Sequence, residues 1–318
     1  MNRNISLDLL KLSMALMVVG IHTGFYSEFS PLLSYLFIEG LFRIAVPVFF
    51  IINGFYFYSA LERGAQRTWL KRVVVLYIIW MFFYSVFWFF IPELTAVDLL
   101  KLLYRFLVGY FHLWYISGLI GAAIVLLMLK ELTTKFLLVT IGITFFIGVL
   151  IQYIGNYHLL EGTLLDKVFN KHEAHRNFIF FAYPFFCIGF LFNKHSVYKQ
   201  VPLPITYLIT VLGGMLLLTE SYVNYIQPLR EGAFDNYFSL IFICPALFLL
   251  CLKKQVNGSS KNIALYASAI YFIHVFILSV LHKIFNIEAT SLTVLTIVFS
   301  IITSFFIVHL NKRFKFIL

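Results

Sequence analysis

Lys11 and His22 stand eleven positions apart in an apolar stretch, residues 5–25, that reads ISLDLLKLSMALMVVGIHTGF. In a helix, eleven residues make about three turns plus roughly 20°, so both side chains leave one face, about 16 Å apart along the axis. That face offers a cation near one membrane surface and an imidazole well inside. Asp8 lies three residues before Lys11, where the two can pair. Ionisable groups inside a span are costly and mark function by default. A cation can hold phosphates, and an imidazole of near-neutral pKa can serve as general base or as transient acyl carrier. A lysine near a helix end also snorkels, and a lone histidine also packs as core. The pair therefore gains weight only from its surroundings.

Further polar residues interrupt other apolar runs. Glu39 and Arg43 are spaced i,i+4 with the acid first, the better order for a helical ion pair, in FIEGLFRIAVPVFFIINGFYF. They can also simply pin two helices together. Pro47 weakens the ladder after them, and Asn53-Gly54 adds a polar, flexible point. Arg63, Arg67, Lys71 and Arg72 follow as a basic cluster that suits phosphates, although cytoplasmic loops are basic anyway. His112, Trp114 and Tyr115 open a later run; the two aromatics suit a membrane-interface belt or stacking against sugar rings. Ser268, Tyr271 and His274 share another, the last two on one face. His172 and His175 fall in a long loop and read as an exposed pair rather than a metal site.

These residues need helices in a bilayer to position them. The chain of 318 residues is 61% hydrophobic and only 12% charged, against about 25% charged in soluble domains. Runs of roughly 17–25 apolar residues predict about ten spans, near 5–25, 37–60, 73–91, 112–129, 136–154, 177–193, 204–220, 236–252, 263–285 and 292–310. The expected fold is an all-α, polytopic membrane helix bundle forming one domain over residues 1–318, with no appended soluble domain. The first run is read as an uncleaved span, because Asp8 and Lys11 interrupt it and no small-x-small cleavage site follows. Pro184 and Gly189 suit a kinked sixth span.

Orientation follows from the loops. With both termini cytoplasmic, inner segments hold Arg3, Arg63, Arg67, Lys71, Arg72, Lys130, Lys135, Lys194, Lys199, Lys253, Lys254, Lys261, Lys312, Arg313 and Lys315. Outer segments hold only Lys101, Arg105, Lys167, Lys171, Arg176, Arg230 and Lys283. The net charge of +10 thus reflects topology and argues against a nucleic-acid partner. Residues 94–108 place Leu94, Val97, Tyr104 and Leu107 at helical spacing, an amphipathic helix on the outer surface. Cys187, Cys244 and Cys251 sit in apolar runs without CxxC spacing, so neither a disulfide framework nor a metal is expected.

Four segments in order, SLDLLKLSMALMVVGIH, RIAVPVFFIINGFYFY with the basic loop behind it, HLWYI and ASAIYFIHVF, resemble the acyltransferase-3 family of bacterial inner-membrane O-acyltransferases. Together they span nearly the whole chain. Asn53 stands where many members have Ser, and the family's paired arginines are spread here as Arg63, Arg67, Lys71 and Arg72. The resemblance implies transfer of an acyl group, most often acetyl, from acetyl-CoA or another acyl-CoA to a glycan or lipid-linked sugar acceptor such as O-antigen. It implies a location in the bacterial cytoplasmic membrane among its lipids. On this reading His22 is catalytic and Glu39 orients it. Lys11, Arg43, Arg67, Lys71 and Arg72 hold the donor, and His112, Trp114, Tyr115 and His274 meet the acceptor. The competing expectation is a proton-coupled transporter or flippase of a glycan or lipid-linked sugar, using His22, Glu39 and Arg43 as a relay. A third is a membrane-sensing or structural protein without turnover.

Overall fold

The structure, a computed structural model, describes residues 3–93, 95–254, 256–258 and 262–318. Leu94, expected at the start of the amphipathic stretch, and Lys261, expected in an inner loop, lie outside the described residues. Eleven principal helices follow in order: α1 Ser6–Thr23, α2 Pro31–Glu62, α3 Gln66–Phe83, α4 Ala96–Val108, α5 Phe111–Leu129 and α6 Thr134–Asn156; then α7 Phe178–Lys194, α8 Leu203–Ile226, α9 Leu240–Lys253, α10 Asn262–Ile284 and α11 Ala289–Arg313. Seven of them are long and apolar enough to cross a membrane: α1, α2, α5, α6, α8, α10 and α11. α7 and α9 are shorter apolar helices. α3 has 18 residues but opens on Arg67, Lys71 and Arg72, which dilute its apolar character. α4 is the amphipathic helix expected from the spacing, begun by Thr95 accepting the Asp98 N–H.

Two departures from regular helix matter. In α2, Pro47 has no N–H for the Arg43 carbonyl, and the helix before it loosens. Leu36–Gly40 forms a π turn and Leu41–Ile44 a 3-10 turn before α geometry resumes at Ala45. Glu39 and Arg43 lie in this irregular stretch. In α7 the irregularity likewise precedes its proline: Phe178–Ala182 is a π turn, with the Asn177 side chain accepting the Ile179 and Phe180 amides.

α2 and α7 pack backbone against backbone. A Cβ on Gly54 would stand 1.9 Å from the Phe186 carbonyl oxygen, and one on Gly189 would stand 2.0 Å from that of Ile51. Glycine at both positions permits an approach that no larger residue allows, the small-residue device of membrane bundles. Gly189 therefore serves close packing. Phe50, Phe57, Phe181, Phe185, Phe186 and Phe190 fill the core around this pair, all fully buried or nearly so. α1 packs on α10 and α11, and the Thr23 and Thr293 hydroxyls meet at 2.6 Å. The outer surfaces of α8 and α11 expose Leu208, Val211, Met215, Ile302 and Phe306, as hydrocarbon surroundings favour.

One end of the bundle gathers the chain's basic segments. Arg3–Asn4 pairs antiparallel with Asn257–Gly258, and the Trp80 indole N–H donates to the Ile317 carbonyl at 2.9 Å, folding the tail onto α3. The opposite end carries acids. Glu28 accepts the Thr290 N–H at 2.9 Å, and Asp166 and Glu231 flank His158.

Candidate active site

Lys11 lies on α1 near the basic end, its Nζ 5.3 Å above the centre of the Tyr56 ring. It lines a cavity of about 170 Å³ together with Asn53, Tyr115, Ser268 and Tyr271 among apolar walls. The Asn53 amide donates to the Tyr115 hydroxyl at 2.7 Å, holding that phenol over the cavity. A second cavity of about 240 Å³ shares Val73 and Leu76 with the first and is lined by Trp69, Arg72, Lys315 and Leu318. Arg72 and Lys315 thus sit beside the space that Lys11 enters. Arg67 and Lys71 are exposed on the first turns of α3. Lys315, unremarkable in a basic tail, gains its place only because the tail folds back.

Tyr271 closes the other side of this cavity and touches a cluster of three histidines. His22 and His274 stack, with ring centroids 5.4 Å apart and planes 20° from parallel. His112 meets His274 edge-on at 5.1 Å and Tyr271 at 5.4 Å. Each ring has a local reason for its place. His22 occupies the last turn of α1, which ends at Gly24 in the left-handed conformation. His112 sits in the 3-10 turn entering α5, after Gly109 at φ 95° and Phe111 at φ 46°. His274 is one turn beyond Tyr271 on α10, and the Tyr271 hydroxyl donates to the His112 carbonyl at 2.6 Å. His274 Nδ1 lies 2.6 Å from the Tyr271 carbonyl oxygen, which can only accept. Nδ1 therefore carries the proton, and Nε2 presents a lone pair. His274 Nε2 and both nitrogens of His112 are buried and meet no hydrogen-bond partner among the described residues. Buried polar atoms without partners are uncommon and point to groups that meet a ligand.

Phe111 covers His22 from the acidic end, ring to ring at 4.6 Å. A positive φ is rare for a bulky residue and persists only where the surroundings fix it. Phe111 lies at the end of an open groove of about 340 Å³ lined also by Phe87, Tyr104, Gly109 and Glu173. Space thus approaches the histidines from both ends of the bundle.

Glu39 and Arg43 lie in a separate ionic network. Arg43 donates to Glu39 Oε2 at 2.5 Å and also to Asp235. Arg176 donates to Asp235 at 3.1 Å and stacks over Trp114, with its guanidinium carbon 4.8 Å from the ring centre. Glu39 further accepts the Phe234 N–H at 3.1 Å. Its carboxylate is thus committed to Arg43 and the backbone rather than to the His22 ring it was expected to orient. Arg43 likewise faces this network, not the Lys11 cavity. Burial alone would raise the Asp235 carboxyl, but Arg176 and Arg43 outweigh it and hold the group well below the usual carboxylate range.

Trp114 and Tyr115, expected together, separate. Trp114 faces the Arg176 side, while Tyr115 lines the Lys11 cavity. His175 is fully buried where an exposed pair was expected, and burial lowers its imidazole to about 4. No group of metal-ligating side chains occurs among the described residues. Sequence reasoning missed Phe111, Arg176, Asp235 and Lys315; the one available signal was the Gly109-Tyr110-Phe111 turn ahead of His112.

A family model described as an acyltransferase domain matches residues 4–309. An amino-acid racemase of Enterococcus faecalis is 25% identical over 326 residues, covering 97% of this chain and 46% of that protein. A serine/alanine racemase of Enterococcus gallinarum is 25% identical over 319 residues, covering 88% of this chain and 42% of that one. The chain thus spans less than half the length of these relatives. No solved structure matches it.

Proposed function

The chain belongs to the acyltransferase-3 family of acyltransferase domains, and from that premise we infer that it moves an acyl group, acetyl in the simplest case, from cytoplasmic acyl-CoA to a hydroxyl of an extracytoplasmic or lipid-linked glycan. It is an acyltransferase with multiple membrane-spanning helices. The membrane is the bacterial cytoplasmic membrane, and the ends bearing Arg72 and Lys315 face the cytoplasm, in keeping with the loop charges. The full set of ten crossings then adds α3, α7 and α9 to the seven long helices. The racemase names of the two relatives attach to proteins more than twice as long, and the acyltransferase match accounts for the region shared with this chain.

The observation that carries this reading is that two spaces, one bounded by Tyr271 and the other by Phe111, each stop one side chain short of the same histidine cluster. Arg72, Lys315 and Lys11 ring the inner cavities, with Arg67 and Lys71 exposed nearby, a set suited to the phosphates of CoA. The thioester arm then runs past Asn53 and Tyr115 to Tyr271. His22 removes the acceptor hydroxyl proton, directly or after first carrying the acyl group as an acyl-imidazole. On the direct route the acyl C–S bond breaks as the acyl C–O bond forms, and His22 passes the proton to the CoA thiolate. On the relayed route an acyl C–N bond forms as C–S breaks and the thiol leaves with the ring proton; then C–O forms as C–N breaks and the acceptor proton returns to the ring. His274, stacked on His22, holds that ring in place. His112 and Trp114 lie on the acceptor side, and Tyr115 on the donor side. Glu39 and Arg43 brace the outer loops through Asp235.

Purified protein in nanodiscs tests this reading with acetyl-CoA and a sugar acceptor. Free thiol should appear with acyl-CoA turnover and vanish in His22→Ala. A transporter or a structural protein releases none, and intact release in His22→Ala removes His22 from the chemistry.

A further inference from the structure

We propose that the apolar chain of a lipid-linked acceptor enters sideways from the bilayer through a slot beneath α4, with its hydroxylated head group leading toward the histidines. The proposal rests on the acyl-transfer reading and adds where the acceptor binds and by which route it arrives. α4 has no buried residue along its length and turns Leu99, Leu100 and Leu103 outward, as an interfacial helix does. Its other side meets the bundle at Phe106, which packs against Tyr77 and Trp88. Between α4 and the bundle lies a groove of about 360 Å³ lined by Tyr104, Leu107, Val108, Trp114, Phe178 and Ile179. That volume falls in the range of small-molecule sites, roughly 300–1,000 Å³.

The polarity of the groove is graded. Leu107, Phe178 and Ile179 are exposed and apolar, open to hydrocarbon. Glu173, Arg176 and Asn177 supply the polar wall at the other side. The groove then continues into the one that ends at Phe111, because both share Tyr104, Val108 and Glu173. Phe111 touches His22. A chain seated against Leu107 and Ile179 therefore leads its head group past Glu173 and Arg176 to the reacting imidazole. A free sugar has no use for the apolar half, whereas a chain in that half leaves the bilayer at little cost, since hydrocarbon replaces hydrocarbon. α4 is pinned to the bundle at its end by the Tyr77 hydroxyl donating to the Phe106 carbonyl and by Arg105 donating to the Trp88 carbonyl at 3.1 Å. These bonds fix α4 beside the groove without any occupant.

A hexadecyl glucoside carrying a diazirine at the end of its tail tests this in nanodiscs, independently of turnover. Illumination should label peptides within residues 104–118 and 173–179. Unlabelled hexadecyl glucoside should compete, while free glucose and phosphatidylcholine should not. The pair Leu107→Trp and Ile179→Trp, both at exposed sites and checked for unchanged melting, should cut labelling about tenfold. Equal competition by phosphatidylcholine marks the slot as an ordinary lipid-facing surface and overturns the proposal, as does undiminished labelling in the tryptophan pair. Slot labelling without any thiol release overturns acyl transfer and leaves the slot; thiol release without slot labelling does the reverse.

Discussion

His22 and His274 lie face to face, centroids 5.4 Å apart and planes 20° from parallel, although they come from the first and tenth helices. The His274 ring is fixed by its own Nδ1–H, which the Tyr271 carbonyl accepts. On the proposed reading it positions His22, where it was expected to meet the acceptor. His274→Ala, which removes the ring stacked on His22, should lower kcat on the order of 10²-fold, the scale for a slightly misplaced reacting group, while the acyl-CoA KM stays near parental. His274→Gln, which keeps a polar group there, should recover part of the loss. Steady-state kinetics on the purified variants checks this; a raised KM at parental kcat would assign His274 to ground-state binding instead.

The close pairing of α2 and α7 makes a stability prediction. Gly54→Ala would put a methyl group 1.9 Å from the Phe186 carbonyl oxygen, and Gly189→Ala one 2.0 Å from that of Ile51. Helix backbone cannot yield as a side-chain tip does. Each change should cost about 1–3 kcal/mol or more, read as a lower melting temperature in detergent. Gly142→Ala, where an added methyl group meets nothing within 4 Å, should melt like the parent. Equal melting of all three would mean that the two helices do not approach this closely.

Long apolar runs made the main helices legible, because a span needs about 20 apolar residues and few other segments have them. The amphipathic stretch 94–108 was legible for a related reason, since periodicity reports a helix with two unlike faces, and Ala96–Val108 forms it. The shared face of Lys11 and His22 was legible from helix geometry. Glu39–Arg43 was visible as an i,i+4 pair, but Arg43–Asp235 was not, because spacing rules reach only one turn and the partner lies far along the chain. His175 looked exposed in a polar loop; its burial depends on how that loop folds onto α6. Tyr115 looked like the companion of Trp114, yet one residue of helix rotates a side chain by about 100° and sends it to the Lys11 cavity. Phe111 carried no signal of its own, since its importance lies in a backbone conformation.

At the acidic end, His158 bridges two loops. Its Nδ1 lies 2.8 Å from Asp166 Oδ2 and its Nε2 2.5 Å from Glu231 Oε2. Carboxylates at both nitrogens, Asp166 first and then Glu231, raise the imidazole above its ordinary 6.5. The raised folded-state pKa means the bridge stabilises fully below about 6.5 and is lost as pH rises through the higher folded value. Hydrogen-exchange protection of residues 155–176 should therefore fall as pH rises from about 6 to about 8, after correction for intrinsic exchange. His158→Gln should remove that dependence. The same pH profile in the variant would exclude His158 as its source.

The central claim is that acyl groups pass through the protein, from the Lys11 side to the Phe111 side, by way of His22. Sealed proteoliposomes with one orientation test it, with radiolabelled acetyl-CoA confined to one compartment and a non-permeant sugar acceptor to the other. Labelled acceptor should form only when acetyl-CoA is on the side bearing Arg72 and Lys315, and not at all in His22→Ala. Acceptor labelled only when donor and acceptor share one compartment would contradict the claim.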